Sequence, residues 1–164
     1  MAYIGVNATA DFVTLKLNNS ADWTGDVANA FVGGESANTY DVPSMQEITV
    51  NATPGIFRWK QLDSLSEQAI TTASTNNIEL TVVLDDSTFY SNTGSSYGIL
   101  DSVNNKTKTA FRLYWAGESS GDRYIEGIAY LSALAPTVTP DSPVWTSPLT
   151  LEIVGDFTTG QVTP

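Results

Sequence analysis

Apolar and polar residues alternate one by one along most of this chain, and a period of two puts successive side chains on opposite faces of an extended backbone. Val13, Leu15 and Leu17 alternate with Phe12, Thr14 and Lys16, and residues 46–50 (QEITV) repeat the pattern ahead of Asn51 and a Pro54-Gly55 turn signal. Residues 56–62 (IFRWKQL) read as the next strand. Residues 64–73 fit a helix or a strand, and Thr71-Thr72 with a turn at Asn76-Asn77 favours the strand. Residues 78–84 are the clearest buried strand, since Val82, Val83 and Leu84 are apolar on both faces before Asp85-Asp86 ends the run.

One short helix is expected next. Ser95 or Ser96 supplies the cap, Ile99, Leu100 and Val103 form the packing face, and Lys106 and Lys108 stand at the negative helix end. Strands follow at 110–115, 124–134 and 148–157, the first two joined by a polar turn over 117–121. Eight or so strands with local turns predict a mainly β chain: an antiparallel sandwich or partly closed barrel with one short flanking α-helix. Residues 1–164 read as a single domain. Two stretches, about 19–44 and 135–147, read as long loops, a length that is usually functional or disordered. The first carries Trp23, Phe31 and Tyr40 among glycines, so these aromatics either order against a partner or fold back over the chain's own core.

Composition excludes whole classes of chemistry. Histidine and cysteine are both absent, which removes Ser-His-Asp and Cys-His nucleophiles, zinc-finger-type sites, iron–sulfur clusters and disulfides. Seven basic against 18 acidic residues leave a net charge of -11, too few cations to neutralise a phosphate backbone. A surface that repels nucleic acid remains open. The first cation is Lys16 and no continuous apolar segment precedes a cleavage site, so secretion by a signal peptide is not expected. No run approaches the ~20 apolar residues of a membrane-spanning helix.

A carboxylate pair among Glu79, Asp85, Asp86, Glu126 and Glu152 is the one catalytic option left, and outward carboxylates that keep strands soluble are the stronger explanation. Asp85-Asp86-Ser87 lacks the spacing of a calcium loop, and no phosphate-binding glycine motif occurs. No catalytic residue, cofactor or metal is therefore expected. Trp59, Trp115 and Trp145 could form a sugar-stacking platform, but the alternation of Phe111, Leu113 and Trp115 favours core.

The last third meets a familiar arrangement. RLYW at 112–115, YIEGIAYLSAL at 124–134 and WTSPLTLEIVGDF at 145–157 resemble the closing strands of major tail tube proteins of long-tailed (siphovirus-type) bacteriophages. The upstream order of strand 78–84, helix near 97–103 and strand 110–115 is similar to that family, so the resemblance covers about 57–160, without an invariant motif. It implies a structural, non-enzymatic virion subunit, made in the host cytoplasm, that self-assembles into hexameric rings stacked as a hollow tube. Its partners would be itself, tail-completion and tip proteins and a tape-measure protein, with genomic DNA passing through an electronegative lumen unbound. On this expectation Trp23, Phe31 and Tyr40 reach between rings, and Glu126 and Glu152 face the lumen. A type VI secretion tube shares the architecture, and a monomeric β-sandwich module binding carbohydrate or a cell surface is the competing class.

Overall fold

The alternating segments become strands of one antiparallel sheet. The computed structural model describes residues 13–18, 25–31, 39–42, 45–60, 66–90 and 98–163. In chain order the strands are β1 (Thr14–Asn18), β2 (Thr39–Asp41), β3 (Met45–Lys60), β4 (Glu67–Val83), β5 (Lys108–Tyr114), β6 (Arg123–Ser132), β7 (Thr137–Thr139), β8 (Ser142–Ile153) and β9 (Thr158–Gln161). A 3-10 turn spans Val27–Phe31, and two helices, α1 (Asp86–Phe89) and α2 (Ile99–Asn105), lie between β4 and β5. The sheet runs β2-β1-β5-β6-β8-β4-β3, with β7 on β8 and β9 on β6.

Strand β6 is the pivot. One edge pairs along β5, from Lys108↔Tyr130 to Tyr114↔Tyr124. The other is shared, β9 taking residues 123–126 and β8 residues 129–132. One face of every long strand supplies the core: Leu15 and Leu17, Phe111 and Leu113, Ile125 and Leu131, Leu149 and Leu151, and Ile78, Leu80 and Val82. A single sheet buries one face only by curling over it, and Phe89 of α1 and Ile99 of α2 fill the open side. Each fully buried Leu, Ile or Phe contributes roughly 1.5–3 kcal/mol of transfer free energy, so the curled face dominates the fold's stability. The architecture is mainly antiparallel β, an open sandwich-like barrel flanked by one short helix, α2, with the single turn of α1 beside it.

Four local expectations are corrected. Pro54-Gly55 does not turn the chain, because β3 runs straight through it, with a register break between Thr53↔Thr75 and Gly55↔Thr72. Among the described residues β3 is the sheet's outermost strand, where a proline's missing N–H removes no inner ladder bond, and a Cβ on Gly55 would collide with the Ala73 carbonyl. Asn76-Asn77 is likewise mid-strand. Its polarity is satisfied sideways, Asn76 Nδ2 donating to the Gly155 carbonyl (3.2 Å) and to Asp156 Oδ1 (3.3 Å).

Helix α2 starts at Gly98 with no side-chain cap, and Ser95 and Ser96 lie outside the described residues. It ends where Lys106 adopts φ 53°, its N–H reaching the Val103 carbonyl. Ile99 is buried, with Leu100 and Val103 packed at the core margin. Residues 135–147 are not a loop: β7 pairs back on β8, and Ser147 Oγ accepts the Ala135 N–H (2.9 Å) at the base of this hairpin.

Candidate functional site

The face of the sheet turned away from the core is polar and acidic over β3, β4 and β8. Cross-strand register places Glu47 opposite Thr81, Thr49 opposite Glu79, Glu79 opposite Thr150, and Asn77 opposite Glu152. Glu47, Glu79 and Glu152 are all exposed. Asn51 Nδ2 donates to Asn77 Oδ1 (2.9 Å) and Asn77 Nδ2 to Glu79 Oε1 (3.1 Å), a polar ladder that fixes the side chains across the strands. A shallow depression of about 230 Å³ lies between Glu47, Glu79 and Thr150. No Lys or Arg occurs on β4 or β8, or on β3 before Arg58, so nothing on these strands offsets the carboxylates.

Glu126 shares this outward side, since alternation along β6 puts it with Tyr130, the residue opposite Glu152. It does not stand as a free acid. Arg112, directly opposite on β5, reaches Glu126 Oε2 through Nε (2.9 Å) and Nη2 (2.6 Å), and both side chains are almost buried. The guanidinium carbon lies 4.7 Å from the Phe31 ring centre and 4.3 Å from that of Tyr124. Burial disfavours the charge on Arg112, but hydrogen bonds to Tyr114 and Glu126 outweigh it and raise its pKa. Sequence reasoning missed this pair, although a signal existed: both residues lie equally far from Ser119, the middle of the 117–121 turn, which sets them opposite in any tight hairpin.

Phe31 and Tyr40 fold back over the chain's own body. Phe31 covers Arg112, and Tyr40 of β2 pairs with Leu17 and packs against the core. Burial pushes the Tyr40 phenol up, only partly countered by a hydrogen bond with Ser102. Trp23 lies outside the described residues. Nearby, Lys16 is held by Glu118 and Asp41, and although burial disfavours its charge these partners raise its pKa.

Beyond the bulge, residues 55–60 and 67–72 form a two-stranded arm whose side chains are exposed on both faces. Phe57 and Trp59 stack on one face (6.0 Å between centroids), with Ile70 opposite Phe57. At the other end of β4, Leu84, Asp85, Asp86, Phe89, Tyr90, Pro136 and Trp145 line an apolar cleft of about 380 Å³. The three tryptophans form no common platform: Trp59 is on the arm, Trp115 packs against the core, and Trp145 borders the cleft. Among the described residues no group of three or more carboxylates could hold a metal ion, and no helix is long and apolar enough to cross a membrane.

No family model and no curated protein matches the sequence. Solved structures do. The SPP1 tail tube is similar over 98% of this chain and 81% of its own, with a TM-score of 0.65 at 10% identity. The tail of an empty gene transfer agent particle, solved with C6 symmetry, is similar over 75% of this chain and 87% of its own (TM-score 0.57, 7% identity), and the virion of a native gene transfer agent gives 76% and 90% with the same score and identity. The curled, helix-flanked sheet of this chain is thus the fold of phage tail tubes.

Proposed function

We propose that this chain is a structural tail tube subunit, which stacks as six-membered rings into a conduit whose lumen is lined by the acidic face of β3, β4 and β8. The likeness to the SPP1 tail tube across nearly the whole chain carries this reading. The acidic face supports the lumen assignment, because a wall of carboxylates without cations repels phosphate and lets a nucleic acid slide without sticking. Glu47, Glu79 and Glu152 carry the exposed charge, while Glu126 serves the same wall as one half of a neutral clamp. The six-fold symmetry of the gene transfer agent tail supports six subunits per ring. Among the described residues β2 and β3 end the sheet with unpaired outer edges, which suit strand-to-strand closure with neighbouring copies. Tape-measure, tip and completion proteins would meet the lumen and the two open ends of such a tube, which places the chain in the virion.

Negative-stain electron microscopy of the purified protein across a concentration series tests this. Hollow rings or tubes with a regular axial repeat are expected. Monomers persisting at high concentration, even with tail-tip proteins added, would overturn it.

A further inference from the structure

Going beyond the tail tube reading and independently of it, we infer that the cleft beside α1 binds an arginine side chain presented by a separate, basic protein. The chain carries its own example of the chemistry. The Arg112 guanidinium lies 4.7 Å and 4.3 Å from the ring centres of Phe31 and Tyr124 and donates twice to the Glu126 carboxylate. Two rings and a carboxylate are thus what this fold uses to hold a guanidinium almost out of water.

The cleft assembles the same groups without the guanidinium. Phe89, Tyr90 and Trp145 line it together with Asp85 and Asp86, and no Lys or Arg is among its described lining residues. Phe89 is buried and meets Tyr90 edge to face, 4.7 Å between ring centres at 87°, so the two rings make a corner. Tyr90 and Trp145 are 60% and 53% exposed, large rings that stand in water. Backbone bonds fix this arrangement: the Leu84 N–H donates to the Trp145 carbonyl (2.9 Å), setting β8 beside the start of α1, and the Phe89 N–H donates to the Asp85 carbonyl (3.1 Å), closing the turn that presents Phe89 and Tyr90.

Chemistry selects the occupant. Two carboxylates with no Lys or Arg in the lining attract positive charge, and aromatic, apolar walls disfavour a cation that must keep its water. An ammonium is strongly hydrated, whereas a guanidinium is weakly hydrated, lies flat on rings and grips a carboxylate through two N–H groups. Net charge selects the bearer, because at -11 the field of this chain favours a basic partner over another copy. The chain also has only three arginines to offer: Arg112 is closed in its clamp, Arg58 faces Glu67 at 3.6 Å, and Arg123 lies within the sheet opposite Gln161.

Tryptophan fluorescence of the full chain, titrated with acetyl-Gly-Arg-Gly-amide and with its lysine and citrulline counterparts, tests this. The arginine peptide is expected to shift the emission saturably, the lysine peptide to bind about fivefold more weakly or worse, and neutral citrulline to do nothing. Trp145→Phe should abolish the shift, and D85N/D86N, which keeps the shape of both side chains, should weaken binding by about tenfold or more. Matching melting curves verify that the variants fold. Equal responses to the three peptides, an unaffected D85N/D86N variant, or a methyl glycoside that binds where the arginine peptide does not, overturns the inference. Sedimentation then separates the two possible bearers: D85N/D86N should assemble as the unaltered chain does, and a loss of assembly would place a neighbouring copy in the cleft and overturn the assignment to a separate protein. An unaltered chain that stays monomeric overturns the tail tube reading and leaves the titration result standing.

Discussion

Arg112 and Glu126 face each other across β5 and β6, 2.6 Å apart at their closest atoms, with the guanidinium stacked between Phe31 and Tyr124. Removing one member strands a nearly buried charge, whereas replacing both with apolar groups removes the desolvation cost as well. Arg112→Met or Glu126→Gln alone is expected to destabilise by ~3 kcal/mol, and R112M/E126M by clearly less than the sum of the single changes. Urea unfolding of the three variants checks this; additive losses would show that the pair is not coupled.

Gly127, one residue along β6, is fixed by the ring of Phe111. A Cβ there would lie 2.9 Å from Phe111 Cε1 and 3.6 Å from Phe157 Cα, and Phe111 is fully buried with no space to retreat. Gly127→Val should therefore cost about 1–3 kcal/mol by overpacking, read as a lowered denaturation midpoint with an unchanged slope. Phe111→Leu in the same background should recover part of the loss.

What was legible in the sequence follows from where alternation reports burial. Leu15 and Leu17, Ile78 to Val82, and Phe111 to Leu113 have one face in the core, so their period is visible without a structure. In the β7–β8 hairpin Thr137, Val138 and Thr139 are all exposed, so no pattern marks it and the segment reads as a loop. Pro54-Gly55 carries the usual turn residues, but on an outer strand the same pair makes a bulge, and strand position is a tertiary fact. The outward placing of Glu152 depends on register, which a single residue's slip reverses. The arm and the cleft were invisible because apolar residues exposed on a strand or loop read no differently in sequence from buried ones, and the cleft's Pro136 and Trp145 fall in a segment that reads as a loop.

Alkaline pH is expected to loosen the β1–β2 corner. Lys16 and Tyr40 both hold their protons more tightly folded than unfolded, from ordinary values of 10.5 and 10.0. A raised folded pKa gives stability that is complete below the unfolded value and is lost as pH climbs toward the folded one. Stability should hold steady up to about pH 9.5 and fall above about pH 10. Tyr40→Phe should flatten the early part of that fall, and Lys16→Met should remove a contribution below about 1 kcal/mol, since its partners are largely solvated. Thermal melts across the alkaline range measure both. A fall that is unchanged in the Tyr40→Phe variant would place its cause elsewhere.

The lumen assignment is tested by inverting its charge. Glu47, Glu79 and Glu152 are exposed on three neighbouring strands and none contributes to the core, so E47K/E79K/E152K should fold normally. The three changes add six charges and move the net value from -11 to -5, leaving the protein acidic overall with one basic face. If that face is the wall along which nucleic acid slides, its inversion turns repulsion into retention. The variant should shift a short DNA duplex in a native gel at low salt and release it as salt rises, while the unaltered protein shifts nothing. Reversing three exposed acids elsewhere, at Asp86, Asp141 and Asp156, is the control for net charge alone. Tubes of the face variant should also block or slow passage of the genome in a reconstituted particle, and tubes of the control variant should not. Equal behaviour of the two variants would mean that net charge, and not this face, governs contact with DNA.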